Sequence, residues 1–271
     1  MKKINLVLLS IVMILSLNAC SGGDTPDNPD TNINDNGTDN GTDNGTDNGT
    51  DNGTDNGTDD GANSPIIKIS DFINDNNCDQ VVNKEFSTGT DIISCYDYNL
   101  KASTFVAYTL NGFLVNDINI KDRPDFYSEE DIPKEYQSKY SDWSGSGYDR
   151  GHLPPDAAFD YNQEDLNIIY SLAFIIAQDP TVNREQWTEV EKYARDMAVI
   201  FNELLVINGV VFDNNPELIG NNIAVPIGFY KILINEESNF KECYYYNNYI
   251  LGDASLDNLS LHEVDCKQYI K

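Results

Sequence analysis

The sequence predicts an α+β domain built on a central antiparallel sheet. Three observations lead there. Segments rich in β-branched and aromatic residues come first, at 92–98, 103–109 and 112–118. One amphipathic stretch follows at 183–202, where Trp187, Val190, Ala194, Met197, Ala198 and Phe201 recur at helical spacing. Strand-like runs then return at 204–212, 223–234 and 242–251. Strands, one long helix and strands again is an α+β order.

The chain begins with Lys2 and Lys3, then an apolar run over 4–17 that is short for a bilayer span. It ends in Leu17-Asn18-Ala19-Cys20 and continues as Ser21-Gly22-Gly23. This pattern resembles a bacterial lipoprotein signal. The resemblance implies cleavage after residue 19 and lipidation of Cys20, which would anchor the chain to a membrane of the cell envelope, with Ser21 compatible with the outer membrane. An ordinary secretory signal with a chance Cys is the alternative. From 36 to 59 the tetrapeptide Asn-Gly-Thr-Asp repeats six times, and 21–62 hold eleven Asp with no Lys or Arg. Such a segment has almost nothing apolar to bury and reads as a disordered arm. The expected organisation is therefore a signal peptide over 1–19, a lipidated tether over 20–62 and a globular domain over 63–271.

Charge and cysteine content narrow the function. With 17 Lys+Arg against 45 Asp+Glu, the net charge is −28. The domain stays acidic without the arm, so a broad basic surface for nucleic acid is excluded. A single N-terminal apolar stretch excludes a polytopic membrane protein. Beyond Cys20 stand Cys78, Cys95, Cys243 and Cys266, too scattered for a zinc ribbon. An even number in an exported chain suggests two disulfides, and the short loops favour Cys78–Cys95 and Cys243–Cys266.

Within the domain, Asn111-Gly112 is a turn signal, residues 129–140 read as a short helix near Pro133, and 144–147 (Ser-Gly-Ser-Gly) read as a loop. Asp179-Pro180 marks the start of the long helix. Asn208-Gly209 reads as a hairpin or a bulge, and the residues leave both open.

The informative segment is Tyr148-Asp149-Arg150-Gly151-His152-Leu153-Pro154-Pro155. Asn183, Trp187 and Glu191 lie further along at i, i+4 and i+8, on one helical face. A histidine near an Asn and a Glu suits phosphodiester hydrolysis. The attacking water needs a base that titrates near neutrality. The phosphate needs a hard cation, and magnesium accepts few protein oxygens beside waters and substrate. Developing charge on phosphorus needs an Arg.

Asp149 to His152, the Asn183…Trp187…Glu191 spacing and Arg123-Pro124-Asp125-Phe126 upstream together resemble the DNA/RNA non-specific endonucleases with a DRGH motif. The resemblance runs over about 105–230. It implies a ββα-metal finger within the sheet domain, DNA and RNA as substrates, and Mg²⁺ as cofactor, with Mn²⁺ a second option. It makes His152 the general base and Asn183 the direct protein ligand of the metal. Glu191 would orient a metal-bound water or Asn183 itself. Arg123 would stabilise charge on the phosphorus, and Arg150 would support the site or touch phosphate. No protein partner is expected. Asn183 has another reading, as an N-cap with Gln186 completing a capping box. His262 reads as structural.

One stretch departs from the family pattern. Where the family shows Ser-Asn-x-x-Pro-Gln or Ala-Asn-x-x-Pro-Gln, this chain reads Ala173-Phe174-Ile175-Ile176-Ala177-Gln178. Phe174 replaces an active-site Asn and Ala177 a Pro. Losing a polar transition-state contact costs about 3–4 kcal/mol elsewhere, so an impaired nuclease fold acting as a binding module is the rival expectation.

Overall fold

The structure is a computed structural model that describes residues 73, 77–250 and 256–269, all within a compact unit spanning Gly61–Lys271. The signal peptide, Cys20 and the repeat arm lie outside the described residues.

Six strands form the central sheet. They are β1 (Gln80–Glu85), β2 (Asp91–Asp97), β3 (Ala102–Asn111), β6 (Glu203–Val211), β9 (Gly228–Asn235) and β10 (Phe240–Asn247). Every neighbouring pair in the order β1-β2-β3-β6-β9-β10 is antiparallel. A separate ribbon pairs β4 (Asp149–His152) with β5 (Ile175–Gln178), and helix α1 (Gln163–Ile169) lies between them in the chain. Helix α2 (Trp187–Phe201) follows β5, and a small hairpin joins β7 (Leu218–Ile219) to β8 (Ile223–Ala224). Ribbon then helix is the ββα unit that the resemblance implies.

The sheet has two apolar faces because its strands alternate with period two. In β6, Leu204, Val206 and Val210 enter the larger core, while Leu205, Ile207 and Val211 enter a smaller one. The larger core lies under α2, where Trp187, Val190, Ala194 and Ala198 are buried. Met197 and Phe201 are only partly buried against it. The smaller core is closed by the expected disulfides, Cys78–Cys95 and Cys243–Cys266.

Four local expectations are corrected. Residues 112–118 form turns rather than a strand, because the Asn111 carbonyl accepts from the Leu114 and Val115 amides at 3.0 and 3.1 Å. Residues 129–140 form turns rather than a helix. There the Gln137 side chain takes the carbonyls of Glu129 and Ile132 at 2.9 and 2.8 Å. Residues 223–234 break at Pro226, which has no amide to donate, so β8 leaves the main sheet and β9 begins at Gly228. Asn208-Gly209 is neither hairpin nor bulge but the middle of β6. Glycine is required there because a Cβ would meet the Tyr230 ring at 1.7 Å.

Candidate active site

Strand β4 is the Asp-Arg-Gly-His tetrapeptide itself. Alternation puts Arg150 and His152 on one face of the ribbon and Asp149 and Gly151 on the other. Gly151 admits Gln178 of β5, since a Cβ there would meet Gln178 Oε1 at 2.0 Å. The ribbon is thus seated close against its partner strand.

His152 as a whole is half-buried, but its Nε2 is sealed from solvent and has no hydrogen-bond partner among the described residues. Tyr170 stands edge-on to the imidazole at 4.7 Å and Phe126 lies at 5.3 Å. Burial, with a smaller contribution from Arg123, pushes the imidazole down to about 3. The ring is therefore neutral at pH 7 and can accept a proton, but burial makes it a weaker base than the near-neutral one expected from the sequence.

Arg123 reaches this site but is already engaged. Its Nη2 contacts Asp156 Oδ1 at 2.6 Å and Asp160 Oδ2 at 3.0 Å, and Nη1 donates to the Ile120 carbonyl. Asp156 also accepts from the Tyr170 hydroxyl at 2.6 Å. Arg150 is different. Its guanidinium lies 3.8 Å from the Tyr140 ring centre and 5.7 Å from that of Phe126. Among the described residues it pairs with no carboxylate, and its Nε is buried without a partner.

Asn183 is not the helix cap. Asp179 holds that place, its Oδ1 accepting from the Thr181 and Val182 amides at 2.8 and 3.2 Å, with Pro180 at the first helical position. Asn183 lies instead in a π-helical turn, Val182–Gln186, that runs into α2. Such turns displace side chains from regular helical positions and are frequent at functional sites. Asn183 Nδ2 donates to Asp149 Oδ2 at 3.0 Å, and Arg184 clamps the same carboxylate at 2.8 and 2.7 Å. Asp149, rather than Glu191, therefore orients the Asn183 amide. The Asn183 Oδ1 accepts no hydrogen bond among the described residues and remains a hard oxygen donor.

The Asn183 carbonyl oxygen fits a hard divalent cation. Among the described residues no group of three or more His, Cys, Asp and Glu side chains could hold a metal. A single carbonyl oxygen completed by waters and substrate suits Mg²⁺ better than an all-protein cage would.

Glu191 stands on α2 and is half-buried. Its charged neighbours are Lys231, Arg195 and Asp156, and burial raises its carboxyl while Lys231 opposes the shift. Burial correspondingly lowers the Lys231 ammonium. Lys231 is fully buried, donates to Asn208 Oδ1 at 2.7 Å and sits 4.6 Å from the Trp187 ring centre. Asn208 Nδ2 donates to the Tyr108 hydroxyl and to the Leu153 carbonyl, directly after His152. A polar network thus runs from Lys231 beside Glu191 to the end of the DRGH strand. Sequence reading missed Asn208 and Lys231. The available signal was one polar residue inside each apolar alternation of β6 and β9.

The match to known families decides the identity. The model of the DNA/RNA non-specific endonuclease family covers residues 71–269. The chain belongs to that family.

Other members show how far the likeness extends. This endonuclease-family chain is 25% identical over 176 residues to "Endonuclease G, mitochondrial" of Bos taurus, covering 61% of this chain and 58% of that one. It is 28% identical over 160 residues to "Nuclease 1, mitochondrial" of Schizosaccharomyces pombe, covering 54% and 50%. The chain spans about half the length of such curated relatives. In fold it resembles the chain in "Crystal structure of the EndoG/EndoGI complex: Mechanism of EndoG inhibition". The TM-score is 0.60 at 24% identity, over 69% of this chain and 81% of that one.

Phe174, which the resemblance puts in place of an Asn, is fully buried in the larger core, and its carbonyl accepts from the Leu153 amide at 2.9 Å. Ala177 is likewise buried, and its carbonyl accepts from Asn248 at 3.0 Å. Ala177 lies in the ribbon itself, opposite Arg150, and Phe174 directly precedes its second strand.

Proposed function

We propose that this chain hydrolyses phosphodiester bonds of DNA and RNA with Mg²⁺, or with Mn²⁺, outside the cytoplasm on a lipid anchor at Cys20. The observation that supports this best is the unmet Nε2 of His152, on a ribbon clamped to a helix whose Asn183 Oδ1 is free. His152, kept neutral by burial, takes the proton from water as its oxygen bonds to phosphorus and the bond to the 3′ oxygen breaks, the leaving oxygen taking a proton from solvent. Arg150, whose guanidinium pairs with no carboxylate among the described residues, is the charge left to meet phosphate oxygens, and Arg123 holds positive charge near the imidazole. Asn183 would hold the cation, which when bound supplies Lewis-acid stabilisation of phosphate charge. Glu191, on α2, would orient a metal-bound water. The products implied by the family resemblance are fragments with 5′-phosphates. The two disulfides favour an oxidising compartment, and the residues from 1 to 62 carry the reading of signal and tether.

Phe174 supports a second reading, a nuclease fold that binds without cutting, because the apolar ring offers nothing to phosphate. Plasmid nicking at low salt with Mg²⁺ or Mn²⁺, beside His152→Ala, separates the two. Metal-dependent nicking that the substitution abolishes supports hydrolysis. No nicking by the unaltered protein across metals and salt would leave the binding module standing.

A further inference from the structure

Three arginines around the DRGH strand differ in what they have left to offer. Arg123 is held by Asp156 and Asp160, and Arg184 is held by both oxygens of Asp149. Arg150 has only a 3.5 Å contact to the Tyr140 carbonyl and its stacking on rings.

Those rings form a path. Tyr170 lies 4.7 Å from His152, and His152 lies 5.3 Å from Phe126. The Arg150 guanidinium follows at 5.7 Å from Phe126 and 3.8 Å from Tyr140. The path starts at the buried imidazole and ends at Tyr140, which is 57% exposed. Arg150 covers one face of the Tyr140 ring. Among the described residues no other ring or cation is stacked on it.

The charge balance gives the path its meaning. A chain of net charge −28 gains little from the counterion release that drives most proteins onto nucleic acid. Stacking of bases on aromatic rings works without a basic surface, and a guanidinium behind the ring strengthens it. A stacked duplex cannot offer a base face to a side chain without first unstacking it, whereas a single strand can.

Resting on the reading of His152 as the hydrolytic centre, we propose that Tyr140, backed by Arg150, is a nucleobase-stacking subsite. It receives a base next to the cleaved phosphate and makes the protein select single-stranded nucleic acid over duplex. Arg150 serves both parts, packing against Tyr140 and turning its charge to the adjoining phosphate.

The test is binding in chelator, so that no cleavage is needed. The probe is a fluorescein-labelled mixed-sequence 12-mer, single-stranded or as its duplex, titrated with the full chain at low salt and read by anisotropy. The unaltered protein should bind the single strand more tightly. Tyr140→Ala and Tyr140→Leu should weaken single-strand binding about 10- to 100-fold and duplex binding much less. Tyr140→Phe and Tyr140→Trp should keep the selectivity, because each restores a ring face. Because Tyr140 is exposed, all four variants should unfold at the temperature of the unaltered protein. Unchanged single-strand binding in Tyr140→Ala and Tyr140→Leu overturns the proposal. So does an equal loss for both probes, which would mean that Tyr140 only props Arg150. Cleavage of the single-stranded 12-mer with metal reports separately on hydrolysis. Such cleavage without Tyr140-dependent selectivity sinks the subsite alone, and selectivity without cleavage of the single strand sinks the hydrolytic reading alone.

Discussion

The chain has two histidines, and the structure treats them in opposite ways. His262 is saturated. Its Nδ1 meets the Tyr245 carbonyl at 3.0 Å, its Nε2 meets Asp257 at 2.8 Å, and its ring stacks on Tyr246 at 3.6 Å. His152 is also packed among rings, yet its buried Nε2 meets nothing among the described residues. Buried polar atoms are nearly always paired, because an unmet one costs about 1–3 kcal/mol. Under the proposed function, the unpaired nitrogen on the DRGH ribbon is the atom left for the attacking water. A paired nitrogen marks a strut. The same contrast separates Arg150 from Arg184.

The largest effect should come from testing that contrast on activity. His152→Ala should lower the nicking rate by about 10²- to 10⁴-fold, the range for a lost general base. His262→Ala should leave the rate within a few-fold. Equal losses in the two variants would break the comparison.

The network under the site comes next. Lys231→Met takes one of two nearby cations from Glu191, leaving Arg195, and leaves Asn208 Oδ1 without its donor. Urea unfolding should show a loss of about 3–5 kcal/mol. Adding Glu191→Gln should recover part of it, since the less compensated charge is then gone. A full-sized loss in the double variant would mean that packing, not charge, sets the cost.

The pH dependence sharpens the histidine contrast further. Folding lowers the His152 pKa from 6.5 to about 3. Between those values the unfolded chain holds the extra proton, so stability rises with pH across this window and is complete above it. His152→Gln, which does not titrate, should remove that part of the slope, up to about 1.4 kcal/mol per pH unit. Matching unfolding curves at each pH for the two proteins would contradict the burial.

The smallest effect belongs to the strut. His262→Phe keeps the stack on Tyr246 but gives up two hydrogen bonds. It should cost about 1–3 kcal/mol in urea unfolding without changing nicking.

The legible parts of the fold were those written in local period. Alternation over 204–212 marked β6, and helical spacing from Trp187 to Phe201 marked α2. Failures came where one side chain took over the backbone's hydrogen bonds. Gln137 capped the carbonyls that a helix over 129–140 needed, and the Asn111 Oδ1, accepting from the Phe113 amide, helped turn a strand-like run into turns. Asn208-Gly209 misled for another reason. Its glycine answers a Tyr230 ring on a strand whose register no local pattern reveals. At the site, His152, Arg150 and Asn183 were legible through motif and spacing. Asp156 and Asp160, which hold Arg123, and Tyr140, which packs on Arg150, were not, because nothing in their own neighbourhoods distinguishes them.

By itself the sequence determined the α+β order, the disulfide pairs, the motif strand and the helix that carries Asn183. Each rests on local composition or on spacing within a short stretch. Tertiary structure alone decided which nitrogen goes unpaired, which arginine stays free and what orients Asn183. It also joined Lys231 to Asn208 across paired strands, 23 residues apart in the chain. Pairing and desolvation are properties of atoms brought together through space. Residues 34 apart, such as Asn183 and Asp149, acquire them only when the chain has folded.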